Sequence, residues 1–456
     1  MSQTANNRII AVLFVGVLMG AMDISIVGPA IPSIQETIQV EQRSLGWIFS
    51  IYVLFNLVGI SLFAKLSDRF GRRNIYMLAI SVFTLGSLVV AVSPSMSMLL
   101  LGRAIQGFGA SGIFPVASAV VGDLFPPEKR GSALGLIGAV FGIAFMIGPV
   151  LAGTLLAFFE WHVLFTINLP IAAVLLYASW RVLPNTAVNS SGDMDLPGIL
   201  LLALLLVAFA LGLNHIDVED VMASLKSLGV WPFFVACPIL AFGFMMNERR
   251  ASNPVVKLSL FRIRQVRVVG LIALGAGLMQ ASFVFIPDYA VGRFNVTAAR
   301  ASFMLLPVVV ATAIGSPVFG RMLDRQGSKR VVLLGLMLSG IGFFLVQQVM
   351  AGRVLFYFGG AAIGFGMSIL MGSSLRYIML NEVEAADRAT TQGVLTLFIA
   401  IGQLTGSAIM GMITADMKGV QGYHNAFMSV TVLMIILVLV ATQLRSREEE
   451  LASIRG

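Results

Sequence analysis

The sequence predicts an all-α integral membrane protein with 14 transmembrane helices: two six-helix pseudo-repeat bundles and an inserted helix pair. Three observations carry this. Only 11% of the 456 residues are charged while 58% are hydrophobic, and soluble chains need about 25% charged residues to coat a surface. Fourteen stretches are mostly apolar over the roughly 20 residues that a spanning helix requires. Two motifs recur at a nearly constant offset, which indicates a duplicated half.

The stretches 9–31, 45–64, 74–93, 98–121, 132–158 and 164–183 form the first six spans. Residues 1–8, MSQTANNR, precede them with one positive charge, and no small-residue cleavage site follows convincingly, so the first run reads as a retained helix. Two further stretches, 197–213 and 229–246, come next, the first of them the shortest. The last six are 267–287, 301–320, 331–350, 354–375, 390–414 and 424–444. Glycine-rich runs blur several edges, because Gly lowers hydropathy while suiting close helix packing. The rival count is twelve, with 197–246 peripheral.

Charge sets the orientation. Of the 30 Lys and Arg, 23 (Arg376 among them) sort to the side of the termini, 6 to the opposite side, and Arg103 falls inside a span. The positive-inside rule then puts both termini in the cytoplasm. The net charge of +8 is spread beside apolar runs and not along one stripe, so no nucleic-acid partner is expected. One Cys excludes a disulfide framework, and three scattered His argue against a metal centre.

Residues 64–73 read AKLSDRFGRR and residues 320–329 read GRMLDRQGSK. Asp68, Arg69 and Gly71 match Asp324, Arg325 and Gly327 at an offset of 256, and Gly107-Phe108-Gly109 matches Gly364-Phe365-Gly366 at 257. Six uninterrupted spans would give an offset near 185, and the excess fits two added helices. The expected divisions are 1–183, 184–250 and 251–456.

The loop AKLSDRFGRR resembles the signature of the major facilitator superfamily. The six-two-six layout is similar to its fourteen-helix drug:proton antiporter branch, as are MDISIVGPAIP (22–32), RAIQGFGASG (103–112), GPVLAG (148–153) and WHVLFTINLP (161–170). The resemblance covers essentially the whole chain, and none of its motifs names a substrate.

Asp23 is the one acidic residue well inside a span, and a carboxylate is costly there, so it is a functional candidate by default. At about 1.5 Å per residue it lies roughly 21 Å from Ile9 and 12 Å from Ile31. Arg103 sits at similar depth and needs a partner; Asp23 is one candidate, and Gln106, one turn on, can join the network. In the family, the acidic residue and the Arg of these motifs handle protons. Ser25 keeps the hydroxyl of the usual Thr. The offsets place Gly360 and Met279 at the equivalent positions of the second half, so coupling is expected in the first half alone.

Gly148, Pro149 and Gly153 allow a kink and close helix approach. By themselves they are ordinary membrane packing; in the family they resemble the antiporter motif. Gly71 permits a tight turn, Arg69, Arg72 and Arg73 hold the loop inside, and Asp68 can accept at a helix start or pair with an Arg of a neighbouring helix. Asp68 and Asp324, with Arg325 and Gly327, imply gating loops, since the family uses this loop as a latch. Trp161 reads as an interfacial anchor. Asp288, after Pro287, reads as a solvated loop carboxylate, with cation binding as the alternative. Gln280, Gln392 and Gln403 can serve substrate or another helix equally.

The resemblance implies a secondary active transporter, not an enzyme, that exports amphipathic or drug-like molecules against protons by alternating access. The sequence carries no P-loop, so the energy source expected is the proton gradient, without a cofactor. A dedicated metabolite exporter, a proton symporter and a transport-inactive sensor are the rivals. The expected setting is the bacterial inner membrane, as a multi-pass monomer contacting lipid, protons and a small-molecule substrate, with a periplasmic adaptor as an optional partner.

Overall fold

A computed structural model describes residues 3–40, 45–184, 195–216, 220–252, 254–348, 352–416 and 420–455. Arg43 and Lys418, two of the charges sorted to the side opposite the termini, lie outside them. Among the described residues the secondary structure is helical, without strands. Fourteen helices are long and apolar enough to cross a membrane. The first six are Asn6–Ile38, Trp47–Phe70, Arg72–Ala91, Met96–Leu124, Pro127–Leu156 and His162–Val182. Spans 7 and 8 are Leu196–Asn214 and Trp231–Arg250. Spans 9 to 14 are Arg264–Phe294, Arg300–Gln326, Ser328–Gln347, Arg353–Asn381, Ala385–Thr414 and Val420–Ala441. A polar helix, Arg447–Arg455, follows.

The helices outrun the apolar stretches that announce them. Span 9 continues as a helix through Ile286–Phe294, so Asp288 stands in a first helical turn and not in a loop, although it remains exposed. Pro287 lies in that same first turn, where a missing N–H costs nothing. Span 12 runs on to Asn381 and carries Arg376 within it, 3% exposed, where a loop charge was expected. Trp161 is fully buried and stacked on His162 at 3.8 Å between ring centroids, so it is no interfacial anchor.

The repeat is visible as a set of contacts. A Cβ on Gly107 would meet the Tyr52 carbonyl at 2.1 Å, and one on Gly364 would meet that of Val308 at 2.2 Å. Gly109 lies equally close to Phe83, as Gly366 does to Ser339, and Gly86 faces Gln106 as Gly342 faces Ile363. Each partner recurs at the offset of 256 or 257 that the motifs show. Small residues let helices touch backbone to backbone, and that contact is where packing energy comes from when lipid surrounds both partners.

Span 4 is the axis of the first bundle, with 78% of its most apolar stretch buried; span 8 has 6%, most of its residues being half-buried or exposed. Span 7 is seated between the halves: Ile199, Leu202 and Leu206 share a cluster with Leu54 and Leu57 of span 2 and with Val394 and Leu397 of span 13. Its start is tied to the end of span 8, because Asp195 accepts from Asn247 at 2.7 Å.

With fourteen crossings both termini share one face of the molecule, and the halves are closest there. The cluster that holds Phe125 and Leu183 also takes in Leu323, Val331, Tyr377 and Leu380 of the second half. At the opposite face, the cluster of Ile26, Ile48, Leu99, Trp161 and Phe165 draws on the first half alone.

Candidate functional site

Asp23 is fully buried and accepts from three side chains. Arg103 Nη1 donates to Oδ2 at 2.5 Å, Gln106 Nε2 to Oδ1 at 2.8 Å, and Asn168 Nδ2 to Oδ1 at 3.2 Å. Arg103 is fully buried too. It donates to Gln106 Oε1 at 2.9 Å and to the Ile48 carbonyl at 3.3 Å, and its guanidinium lies 4.3 Å from the centre of the Tyr52 ring. Ser87 Oγ accepts from both Gln106 and Asn168. Five spans thus converge on one carboxylate.

Local sequence explains the convergence. Gly102, Gly107 and Gly109 let span 4 lie against spans 2 and 3, and this carries Arg103 and Gln106, one turn apart, to the same side. A buried ion pair is costly unless its remaining donors and acceptors are also satisfied; Gln106, Asn168 and Ser87 supply most of that here, and Arg103 Nη2 alone of the guanidinium nitrogens is left without a partner. Protonating Asp23 would remove the negative charge opposite Arg103 while leaving its other partners in place. The equivalent site of the second half is apolar: Met279 is fully buried, and a Cβ on Gly360 would meet Val308 at 3.2 Å.

Ser25 does not join this network. Its hydroxyl donates to the Ala144 carbonyl at 3.0 Å and the Met22 carbonyl at 2.9 Å. It therefore faces span 5, where a Cβ on Gly148 would stand 1.9 Å from its Oγ. Pro149 lies inside the span-5 helix, and Gly153 has open space around it, so of the three motif residues Gly148 alone makes a tight approach.

The loop aspartates act across the halves. Asp68 accepts from the backbone N–H groups of Ala389 and Thr390 at 3.1 and 2.8 Å, from the Thr390 hydroxyl at 2.5 Å, and from Arg72. Asp324 accepts from the N–H groups of Gly131 and Ser132 at 2.8 and 2.9 Å and from the Ser132 hydroxyl. Each caps the first turns of the fifth span of the other half, where partial positive charge favours a carboxylate. The flanking pairs also correspond, at an offset of 258. Arg388 donates to Asp123 at 2.8 Å, and Arg130 donates to Asn381 at 2.5 Å. Gly71 and Gly327 make the turns, with φ of +90° and +84°, the region that favours glycine.

Arg69, Arg73 and Arg325 lie in or beside these loops, and none joins a described ion pair. In the second half the place of Arg72 falls to Ser328. There the C-terminal helix supplies the contacts: Arg447 donates to the Asp324 carbonyl at 2.7 Å, and Glu450 accepts from the Ser328 N–H at 3.2 Å.

Gln392 is buried against Arg376, to which it is hydrogen-bonded at 3.2 Å, whereas Gln280 is half-buried and Gln403 exposed. Sequence reasoning assigned no chemistry to Asn168, Ser87, Tyr52, Asp123 or Arg376. Asn168 carried a signal, an Asn in the quoted stretch WHVLFTINLP; the others sit in or beside apolar runs without one.

The sequence pattern described as the Major Facilitator Superfamily matches residues 13–314 and 268–454. An MFS-type transporter of Bacillus subtilis (strain 168), YfiU, is 31% identical over 94% of this chain and 83% of its own length. Multidrug resistance protein 3 of the same organism is 27% identical over 91% of this chain and 80% of its own. Among solved structures, the human organic anion transporter MFSD10 superposes with a TM-score of 0.74 at 17% identity, covering 95% of this chain and 99% of that one, a likeness of fold.

Proposed function

The chain belongs to the Major Facilitator Superfamily, and from that premise we propose that it exports small amphipathic or drug-like molecules in exchange for protons, by alternating access. The observation that carries the reading is the Asp23–Arg103 pair: fully buried, surrounded by neutral donors and acceptors from spans 2, 3, 4 and 6, and without a counterpart in the second half. The similarity to Multidrug resistance protein 3 supports the substrate class.

The termini are cytoplasmic, and the closed face is then the cytoplasmic one. Asp23 lies in the half of the membrane nearer the outside, and a proton reaches it from there. Neutral Asp23 no longer opposes the charge of Arg103, which keeps only Gln106, the Ile48 carbonyl and the Tyr52 ring. The balance between the outward- and inward-facing arrangements shifts by the difference in how each holds that guanidinium. The latches of Asp68 and Asp324 hold the outward-facing arrangement. The protein works as a monomer in the bacterial inner membrane on the proton gradient.

Proteoliposomes with an imposed pH gradient and a cationic dye test this. Wild type moves dye against a proton flux of opposite direction, and Asp23→Asn does not. Gradient-driven transport by Asp23→Asn equal to wild type, or dye and proton moving together, overturns it.

A further inference from the structure

Another buried guanidinium, Arg376, stands where the two halves meet. Arg376 is 3% exposed, on span 12 of the second half, about 8 Å from the closed face at 1.5 Å per residue. Unlike Arg103 it has no carboxylate within ion-pair distance among the described residues. Its partners are neutral: Gln392 Oε1 at 3.2 Å, Thr396 Oγ1 at 3.4 Å, and the ring of Phe114, whose centre lies 3.8 Å from the guanidinium carbon. Its Nε has no partner, although it is buried. The hydroxyls of Ser373, one turn before Arg376, and of Thr391, next to Gln392, are also buried without partners. The turn leading to Arg376, Ser368–Ser373, is a π-helix, an irregularity that recurs at functional sites.

A buried charge without a counter-charge is costly, and here its own Nε–H is left unused. Phe114 belongs to span 4 of the opposite half, so the ring that covers the guanidinium is carried away when the closed face opens. What is then uncovered is a fixed cation with a free Nε–H, one helical turn from the Ser373 hydroxyl and facing the aromatic pair Phe114–Phe141 across the opened seam.

We propose that Arg376 is an anion-binding residue, and that the seam between the halves takes the carboxylate of an aromatic organic acid against its guanidinium when the closed face opens. The Nε–H and an Nη–H form a fork that matches a carboxylate, Ser373 donates to it, and the apolar wall takes the ring. On closing, Phe114 replaces the anion by a cation–π contact. The proposal rests on the reading of the chain as an alternating-access transporter, and it does not require proton coupling.

The test is binding to the full chain in detergent, without any gradient, so that a failure of coupling leaves it untouched. The probes are 2-naphthoate and its neutral amide, read by thermal shift in low-chloride buffer. Wild type is stabilised by naphthoate at concentrations about tenfold below those the amide needs. Arg376→Gln loses that preference, Arg376→Lys keeps part of it, and Phe114→Ala, which uncovers the guanidinium, strengthens it. Equal shifts by acid and amide in wild type, or a preference that survives Arg376→Gln, overturns the proposal. So does an Arg376-dependent shift produced in full by chloride alone, which makes the site one for a small inorganic anion.

Discussion

Ser25 Oγ stands 1.9 Å from the point a Cβ on Gly148 would occupy. Ser25 is two residues beyond Asp23 on the same helix, and its side chain points to span 5 while that of Asp23 points to span 4. One helix therefore carries the ionisable group on one side and the close contact with the kinked span on the other. A change of charge at Asp23 that shifts span 1 bears directly on span 5.

Gly148→Ala should impair transport and lower thermal stability, because the new methyl cannot coexist with the Ser25 side chain. It would lie 2.8 Å from Ser25 Cβ as well, so adding Ser25→Ala relieves part of the clash and Ser25→Gly all of it. The expected order of recovery is Gly, then Ala, then Ser. Transport assays on the three double and single variants check it; equal activity of Gly148→Ala and wild type contradicts it.

Asp23→Asn leaves a fully buried Arg103 without its counter-charge, which costs about 3–5 kcal/mol where nothing relaxes. Asp23→Asn combined with Arg103→Gln removes both charges and should regain most of the melting temperature lost by the single variant. It should regain none of the gradient-driven transport. Thermal melts beside flux measurements separate the two roles, and a double variant that transports rules out a coupling function for the pair.

The two latches should be unequal. Asp324→Asn keeps one acceptor oxygen and turns the other into a donor, leaving one or two of the three donors of span 5 without an acceptor, at about 1–3 kcal/mol. Asp68→Asn removes the matching acceptor for span 13 and also a partner of buried Arg72, which keeps Asp123 at 2.8 Å. Ala119 packs with Ala64 and Ala389 at the seam. Maleimide labelling of Ala119→Cys in a Cys237→Ser background should therefore rise in both variants and more in Asp68→Asn. The reverse order would count against the asymmetry.

At the C-terminal helix, burial pushes the carboxyls of Glu450 and Glu382 above the usual Glu range, against the pull of Arg447 on the first and Arg445 on the second. The exposed Glu449 shifts the other way, held down by the Ser446 N–H. A raised carboxyl favours the docked helix in its neutral form. Docking is then strongest below the ordinary Glu value and weakens as pH climbs from there through the raised values. Hydrogen exchange at residues 448–455, corrected for its intrinsic pH dependence, should show more protection near pH 5 than at neutrality, and Glu450→Gln should flatten the trend.

The spans could be read from the sequence because membrane insertion depends on summed hydropathy over about 20 residues, a local property. Their ends could not. Lys65, Arg130 and Arg376 all adjoin apolar runs and resemble loop charges, yet each is buried by partners far along the chain: the Pro254 carbonyl for Lys65, Asn381 for Arg130, Gln392 and Phe114 for Arg376. The Asp23–Arg103 pairing was legible from scarcity and depth. Asn168 stood in a recognisable stretch, but a neutral amide at the head of an apolar run does not demand a partner as a buried charge does, so its bond to Asp23 was not legible. Asp68 and Asp324 announced themselves by recurring, but what they grip is chiefly backbone N–H, which no side-chain pattern marks.

Span 8 offers a last consequence. With 6% of its apolar stretch fully buried, it packs on one side against span 7 and leaves the other open, and on that open side a fluid would place no demand on shape. Drift on the open side of Trp231–Met246 is constrained by oiliness alone, so those positions should diverge faster than the ones that pack on span 7. Its fixed points lie together at its end: Asn247, which donates to Asp195, and Glu248, whose carboxylate accepts from the N–H groups of Val255 and Val256; there, and less along the helix, inheritance should leave its mark.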